Sequence, residues 1–315
     1  MKNLIYSLIS LVKFINKSKE EKKFVFFSES KFYRYHFEDI INELSMFRKN
    51  KIFFVCNNKE DYNFFKNKIN TVYIHNYLFL YIFFLFLKCK NLILTLTDLG
   101  ENLPKSKSCE RYIYFFHAFA STHKIYKKDA FKNYDIIFSN GNYQKLELEK
   151  AEEKYKFYKK IIENTGYFYF DFLSKNINVN LKEKKCVLFA PSWNYNNKNL
   201  FDDYGFNIIN TLLEEGFKVI FRPHSEHFKR SKKQIKNLNK FSKNNLFKID
   251  YNTSNIPSME KSEILISDNS SIFSEYLFVF KKPILKVDYV DKIHNQSFKE
   301  LNIETIDDII LKTFG

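Results

Sequence analysis

The residues of this chain best suited to chemistry gather in a few short stretches. His117 stands in "YFFHAFASTHK", directly after a strand-like run. An imidazole there suits a general base, because its pKa lies near working pH. A structural histidine satisfied by a backbone carbonyl fits the same position. The loop that follows holds Ser121, Thr122, His123 and Lys124, types that can hold a phosphate, with Lys124 supplying the charge. "FRPH" ends in Arg222 and His224, two potential cations around a stiffening Pro223. "APSWNYNN" (190–197) has small residues, Ser192 among them, that let a ligand approach the backbone. Trp193, the only tryptophan, either walls a nucleotide base or fills core. In "EILISDNSSIFSEYLFVFKKPIL" (263–285), Asp268, Asn269, Ser270 and Ser271 join a strand-like run to an apolar helical pattern. Such residues are good helix N-caps, and the same junction points backbone N–H groups and hydroxyls at one spot, as an anion site does. One hydroxyl can cap while the other faces a ligand.

Strands must hold these stretches, and strand-like runs recur with helical stretches between them. They lie at 23–30, 51–57, 71–75, 91–97, 112–118 and 135–141. After a charged, helix-like stretch at 145–163 they resume at 186–193, 218–224, 246–250, 264–267 and 283–287. Many are continuous apolar runs, as expected of strands covered on both faces, and their alternation with helices argues for parallel sheets. The polar break "LSKNINVNLKEKK" (173–185) separates six strands from five. The expected fold class is α/β, with two Rossmann-like domains, 1–172 and 173–315, facing a cleft. In such sheets ligands sit outside the carboxyl ends of the strands. Those ends carry Ser28 to Ser30, His117, Ser139 to Gly141, Ser192, Trp193, Arg222, His224 and Asp268 to Ser271.

Composition narrows the partners. The 315 residues are 45% hydrophobic, enough for two domains with their own cores. Basic residues outnumber acidic ones 51 to 36, yet only Arg34, Arg48, Arg111, Arg222 and Arg230 are arginines. A dedicated nucleic-acid reader would be expected to use Arg. The abundance of Lys, Asn, Phe, Ile and Tyr also follows from AT-rich codons. No nucleic acid is therefore expected as a partner, while the positive field suits an anionic lipid surface or an anionic substrate. Cys56, Cys89, Cys109 and Cys186 form no CxxC, which disfavours a metal site or disulfide framework and fits a reducing cytosol. GxxxxGK[ST], GxGxxG, DxD, HExxH and GxSxG are all missing, so no cofactor and no obligatory protein-bound metal is expected.

Two apolar segments bear on membranes. Tyr77 to Leu87 would span roughly 16 Å as a helix, about half of the ~30 Å hydrocarbon core, and is expected to pack on the protein's own core. Residues 1–17 place Leu4, Ile5, Leu8, Leu11, Val12 and Ile15 on one side, with Asn3, Ser7, Ser10, Lys13 and Lys17 on the other. For this segment, core packing and binding to an anionic membrane surface are equally good readings. No signal-peptide cleavage site follows it.

Taken in order, these stretches resemble the CDP-glycerol glycerophosphotransferase family, the teichoic-acid primases and polymerases. The matching pieces are "FFHAF" at His117, "GYFYFD" (166–171), "APSW" (190–193), "RPH" (222–224), "SDNSSIFSEY" (267–276) and "KKPIL" (281–285). The resemblance implies a GT-B-like fold and a CDP-polyol donor, with an acceptor hydroxyl on a glycan or a lipid-linked acceptor. It makes His117 the base and places His224, Ser270 and Ser271 on the donor's pyrophosphate. Arg222 and a protonated His224 would offset the charge growing on departing CMP. Asp268, Glu275, Ser192, Trp193 and Lys124 complete the expected donor-binding set. Ala118 stands where the family has Gly, Phe168-Tyr169 where it has Pro-Arg, Asn269 for Tyr, Glu275 for Asp and Asn194 for Arg. A chain of this length suits single addition better than long polymerisation. The expected location is cytoplasmic, peripheral on the inner face of the plasma membrane. Two other classes stay open: a nucleotide-sugar glycosyltransferase of similar fold, and a non-catalytic subunit of a capsule assembly complex.

Overall fold

The computed structural model describes every residue except 1, 98, 179, 180, 182, 195–197 and 315, and only the backbone of 2–6. Leu4 and Ile5 of the amphipathic face, and Tyr195 to Asn197 of "APSWNYNN", therefore lie outside the described side chains. The chain falls into two compact units: Met1–Phe172 with Asn295–Ile306, and Leu173–His294 with Asp307–Gly315.

The first unit is built on seven strands, β1 (Phe24–Ser28), β2 (Ile52–Cys56), β3 (Asn70–Tyr73), β4 (Cys89–Leu94), β5 (Cys109–Phe115), β6 (Ile136–Ser139) and β7 (Ile161–Asn164). Their order is β3-β2-β1-β4-β5-β6-β7, and every pairing is parallel. The second unit has β8 (Cys186–Phe189), β9 (Lys218–Phe221), β10 (Phe247–Ile249), β11 (Ile264–Ser267) and β12 (Ile284–Lys286), all parallel, in the order β10-β9-β8-β11-β12. Both sheets thus reverse direction beside their first strand, which is the Rossmann pattern. β7 was not expected. It lies at the sheet edge, and three of its four residues are exposed, so "IIEN" carries no apolar run to betray it.

Alternate residues of the first sheet feed two cores, because side chains alternate across a strand. Val25, Phe27, Phe53 and Val55 face one side, with Leu11 and Phe14 of the helix Lys2–Ile15 and Leu80, Phe83 and Phe84 of the helix Tyr77–Phe86. Phe26, Ile52 and Phe54 face the other, against Phe37, Ile41 and Phe65.

Both helices of the first side differ from expectation. In Lys2–Ile15 the buried stripe is Ser7, Leu11 and Phe14, while Leu8, Val12 and Ile15 are exposed. Ser7 goes inside because its hydroxyl accepts the His75 N–H at 3.3 Å. Tyr77–Phe86 is core on one stripe only; Leu78, Ile82, Leu85 and Phe86 remain exposed. The two helices touch through Phe14 and Phe83, whose ring centres lie 4.9 Å apart.

Two lysines are buried at helix C-termini, where orphan carbonyls and the helix dipole attract a cation. Lys22 bonds the Phe14 carbonyl at 3.3 Å. Lys282, of "KKPIL", bonds the carbonyls of Met259, Glu260 and Ser262 at 2.8, 2.6 and 2.7 Å, closing the helix Ile256–Lys261.

Candidate active site

In the first unit β5 ends at Phe115 and presents His117 two residues later, half-buried. The Tyr33 ring lies 4.3 Å from the His117 ring, and His36 lies 6.4 Å away, nearly perpendicular. Both come from the start of the helix Arg34–Arg48, which follows β1. His36 also packs on Tyr169 at 4.4 Å and Tyr167 at 5.9 Å. Burial, and then the charge His117 can carry, pushes the His36 imidazole far below its ordinary value, so His36 stays neutral. The loop carrying His117 is stitched to the end of β6. Asn140 donates to the Ala118 carbonyl at 2.9 Å, and Gln144 to the Ala120 carbonyl at 3.3 Å. Tyr33 and His36 escaped the sequence reading, although "FYRYHF" sits where a strand's carboxyl end should.

The "STHK" loop does something other than hold a phosphate. Ser121, Thr122, His123 and Lys124 are all buried. Thr122 donates its N–H and hydroxyl to Glu147 at 2.6 and 2.7 Å. Ser121 accepts the Ile306 N–H at 2.6 Å, and Asn295 bonds the carbonyls of His123 and Lys124. The loop seats the returning segment Asn295–Ile306, and the Lys124 ammonium lies 6.0 Å from the Phe298 ring centre. A cation packed this way does not serve as the open charge expected of it.

In the second unit the strand ends come together through hydrogen bonds. Asp268, after β11, accepts the Ser192 N–H at 2.6 Å and its hydroxyl at 2.9 Å. Ser267 bonds the Ala190 carbonyl at 2.7 Å. Asp291 receives Asn194 and Asn269 through its carbonyl and carboxylate, each at 3.1 Å. Asp268 and Ser192 therefore brace the rim of the site. Burial raises the Asp268 carboxyl against the two Ser192 bonds, and burial lowers the half-buried Lys292 ammonium against the attraction of Asp268.

Within this rim Ser270 and Ser271 stand half-buried. Ser271 is the N-cap of the helix Ile272–Glu275 but makes no side-chain cap bond. No hydrogen bond joins either hydroxyl to another described residue. The capping answer to their presence fails, and two donors remain for a ligand.

Arg222 is committed elsewhere. Its guanidinium bonds the Asp250 carboxylate and the carbonyls of Thr253 and Ser254, pinning the loop after β10. Glu275 is buried behind that loop, bonded by Asn255 at 2.8 Å, and burial pushes its carboxyl up to about 8. His224 caps the helix Ser225–Arg230: its Nδ1 accepts the Glu226 N–H at 3.2 Å. His224 is an exposed residue, yet the protein packed around the ring, then the Lys292 charge, lowers its pKa. The cap acts in the same direction, since it needs Nδ1 unprotonated. His224 is thus neutral and not the imidazolium expected; it offers a donor at Nε2. Trp193 is buried, stacked 6.4 Å from His224 and covered by the Arg230 guanidinium at 5.0 Å.

Several solved structures share the fold. The chain is similar to the wall teichoic acid polymerase TagF soaked with CDPG: 16% identity over 90% of this chain and 77% of that one, TM-score 0.50. It is similar to S. aureus MnaA with UDP: 13% identity, 86% and 80% covered, TM-score 0.60. It is also similar to the UDP-GlcNAc 2-epimerase of Neisseria meningitidis bound to UDP-GlcNAc: 13% identity, 86% and 84% covered, TM-score 0.58. At such identities the likeness speaks for the fold, which is GT-B-like as expected. No curated protein sequence matches the chain. A family model does match, over residues 8–297, a span that holds His117, Trp193, His224 and the serine pair. On that match the chain belongs to the CDP-glycerol:poly(glycerophosphate) glycerophosphotransferase family.

Proposed function

We propose that this enzyme moves glycerol phosphate, or a related polyol phosphate, from a CDP-activated donor to a hydroxyl of a glycan or lipid-linked acceptor in cell-surface polymer synthesis. The observation that carries the donor side is the pair of uncommitted hydroxyls at Ser270 and Ser271, at the carboxyl end of β11. The acceptor oxygen attacks the polyol-bearing phosphorus while the bridging P–O bond breaks and CMP leaves with its electrons. His117 takes the acceptor's proton. Both serine hydroxyls and the neutral Nε2–H of His224 donate to the diphosphate, whose charge grows in the transition state. Arg222 acts as a positioning residue by fixing the loop at Asp250, and Trp193 walls the nucleotide.

A membrane seat belongs to the same reading. Among the described residues no helix is long and apolar enough to cross a membrane. Yet Leu8, Val12 and Ile15, with Leu78, Ile82, Leu85 and Phe86, give the paired helices a second apolar stripe beside Lys13 and Lys88. An amphipathic surface edged by lysine suits an anionic bilayer, and a lipid-linked acceptor would be met there, at the cytoplasmic face.

A donor panel tests the reaction. CMP release from CDP-glycerol with a glycolipid acceptor is expected, and His117→Ala should lower kcat by ~10²-fold or more. Sugar transfer from a nucleotide sugar, without CMP release from CDP-glycerol, would replace this function with a glycosyltransferase. Full activity of His117→Ala would remove that residue from the chemistry.

A further inference from the structure

We propose that Cys89 and Cys109 are an oxidation site, a thiol pair that closes to a reversible disulfide independently of the transfer reaction. The two residues open the neighbouring strands β4 and β5 and are direct register partners. Their sulfurs lie 3.3 Å apart in a buried S–H···S contact. Paired strands run about 4.8 Å apart, and a disulfide is compatible with Cα separations of about 4.4–6.8 Å. Bond formation therefore needs the sulfurs to approach by about one ångström, with no strand displaced. A dithiol reopens such a bond by thiol–disulfide exchange, so the bond would form and open with redox conditions.

The surroundings favour sulfur chemistry at this pair over the other two cysteines. Lys22 is buried, with its ammonium on the Phe14 carbonyl and 4.7 Å from the Phe14 ring centre, and its charge acts on Cys89. That attraction offsets only part of the rise that the Cys109 hydrogen bond and burial impose on the Cys89 thiol. The hydrogen bond from Cys89 lowers the Cys109 thiol and raises its own. Cys109 keeps 9% of its surface open while Cys89 has none, so attack begins at Cys109. Cys56 and Cys186 are also buried, have no sulfur neighbour among the described residues, and are pushed up by burial, Cys186 to about 11.

With a peroxide as oxidant the step balances. The Cys109 thiolate attacks one peroxide oxygen, the O–O bond breaks, and a sulfenic acid and hydroxide form. The Cys89 sulfur then attacks the Cys109 sulfur and expels the second hydroxide, and the two thiol protons complete two waters. A dithiol reverses the change. The bond would tie down the start of β5, whose far end carries His117.

The test treats the full-length protein with hydrogen peroxide, alkylates it under denaturing conditions and reads intact and peptide masses. We expect two of the four cysteines to escape alkylation, one Cys89–Cys109 cross-linked peptide, and recovery of all four thiols with dithiothreitol. Cys109→Ser should lose the cross-link and keep Cys56, Cys89 and Cys186 open to alkylation. Four alkylated cysteines after peroxide, a sulfinic acid in place of the bridge, or a cross-link through Cys56 or Cys186 would overturn the proposal.

Discussion

Replacing Glu275 by Gln should remove a loss of stability that the second unit suffers as pH rises through neutrality. Glu275 is buried, and burial raises its carboxyl from 4.5 to about 8, against the Asn255 bond and the Arg222 charge. Between those values the folded chain keeps a proton that the unfolded chain has lost. Folding then takes up a proton, so the contribution is favourable in acid and fades as pH rises from 4.5 to about 8. At about 1.4 kcal/mol per pH unit across that interval, the loss is on the order of 5 kcal/mol. Glu275→Gln keeps an oxygen for Asn255 and removes the titration. Burial lowers His224 and His227, so both titrate in the same unit with the opposite sign, stability rising with pH. Their terms cancel when wild type and variant are compared at each pH. Trp193, the only tryptophan and buried in this unit, reports its unfolding in urea by fluorescence. The two stability curves should lie close near pH 5 and separate by several kcal/mol near pH 9, with the variant above. Parallel curves would refute the buried, protonated carboxyl and the packing behind the Arg222 loop.

The remaining predictions follow from single contacts. Ser270→Ala with Ser271→Ala should raise the KM for CDP-glycerol about thirtyfold, since two hydrogen bonds of about 1 kcal/mol each are lost on the donor. Because the protein uses neither hydroxyl, Trp193-monitored stability should not move; a large loss of stability would return the pair to capping. Lys282→Met should destabilise the second unit by about 3 kcal/mol in urea unfolding, because two buried carbonyls and one half-buried carbonyl lose their charged donor. Val12→Glu with Leu78→Glu should abolish sedimentation with anionic vesicles and leave kcat on a soluble acceptor unchanged; undiminished sedimentation would refute the membrane seat.

What could be read from the chain followed the range of the forces involved. β2 was plain because "IFFVC" is buried at every residue, and a two-sided core writes itself as a continuous apolar run. β7 was hidden by the same logic, since an exposed edge strand needs no apolar pattern. Ser7 was placed on the wrong side because its partner, the His75 N–H, comes from a distant loop. The site divides similarly. His117 and the serine pair follow β5 and β11, and that placement at strand ends was legible because topology puts it there. Their partners were not. Arg222 looked like a ligand-binding cation until Asp250 met it, and Lys124 until Asn295 and Phe298 covered its loop. His224 keeps the sequence motif but loses the expected charge, because its ring nitrogen became a helix cap.

The central claim is that the second unit holds a CDP-polyol through its free hydroxyls. The most direct measurement is a crystal structure of the enzyme soaked with CDP-glycerol. The account predicts the diphosphate on the hydroxyls of Ser270 and Ser271, with His224 donating through Nε2 and the cytosine beside Trp193. A nucleotide bound at any other part of the chain, with both serines still bare, would contradict it.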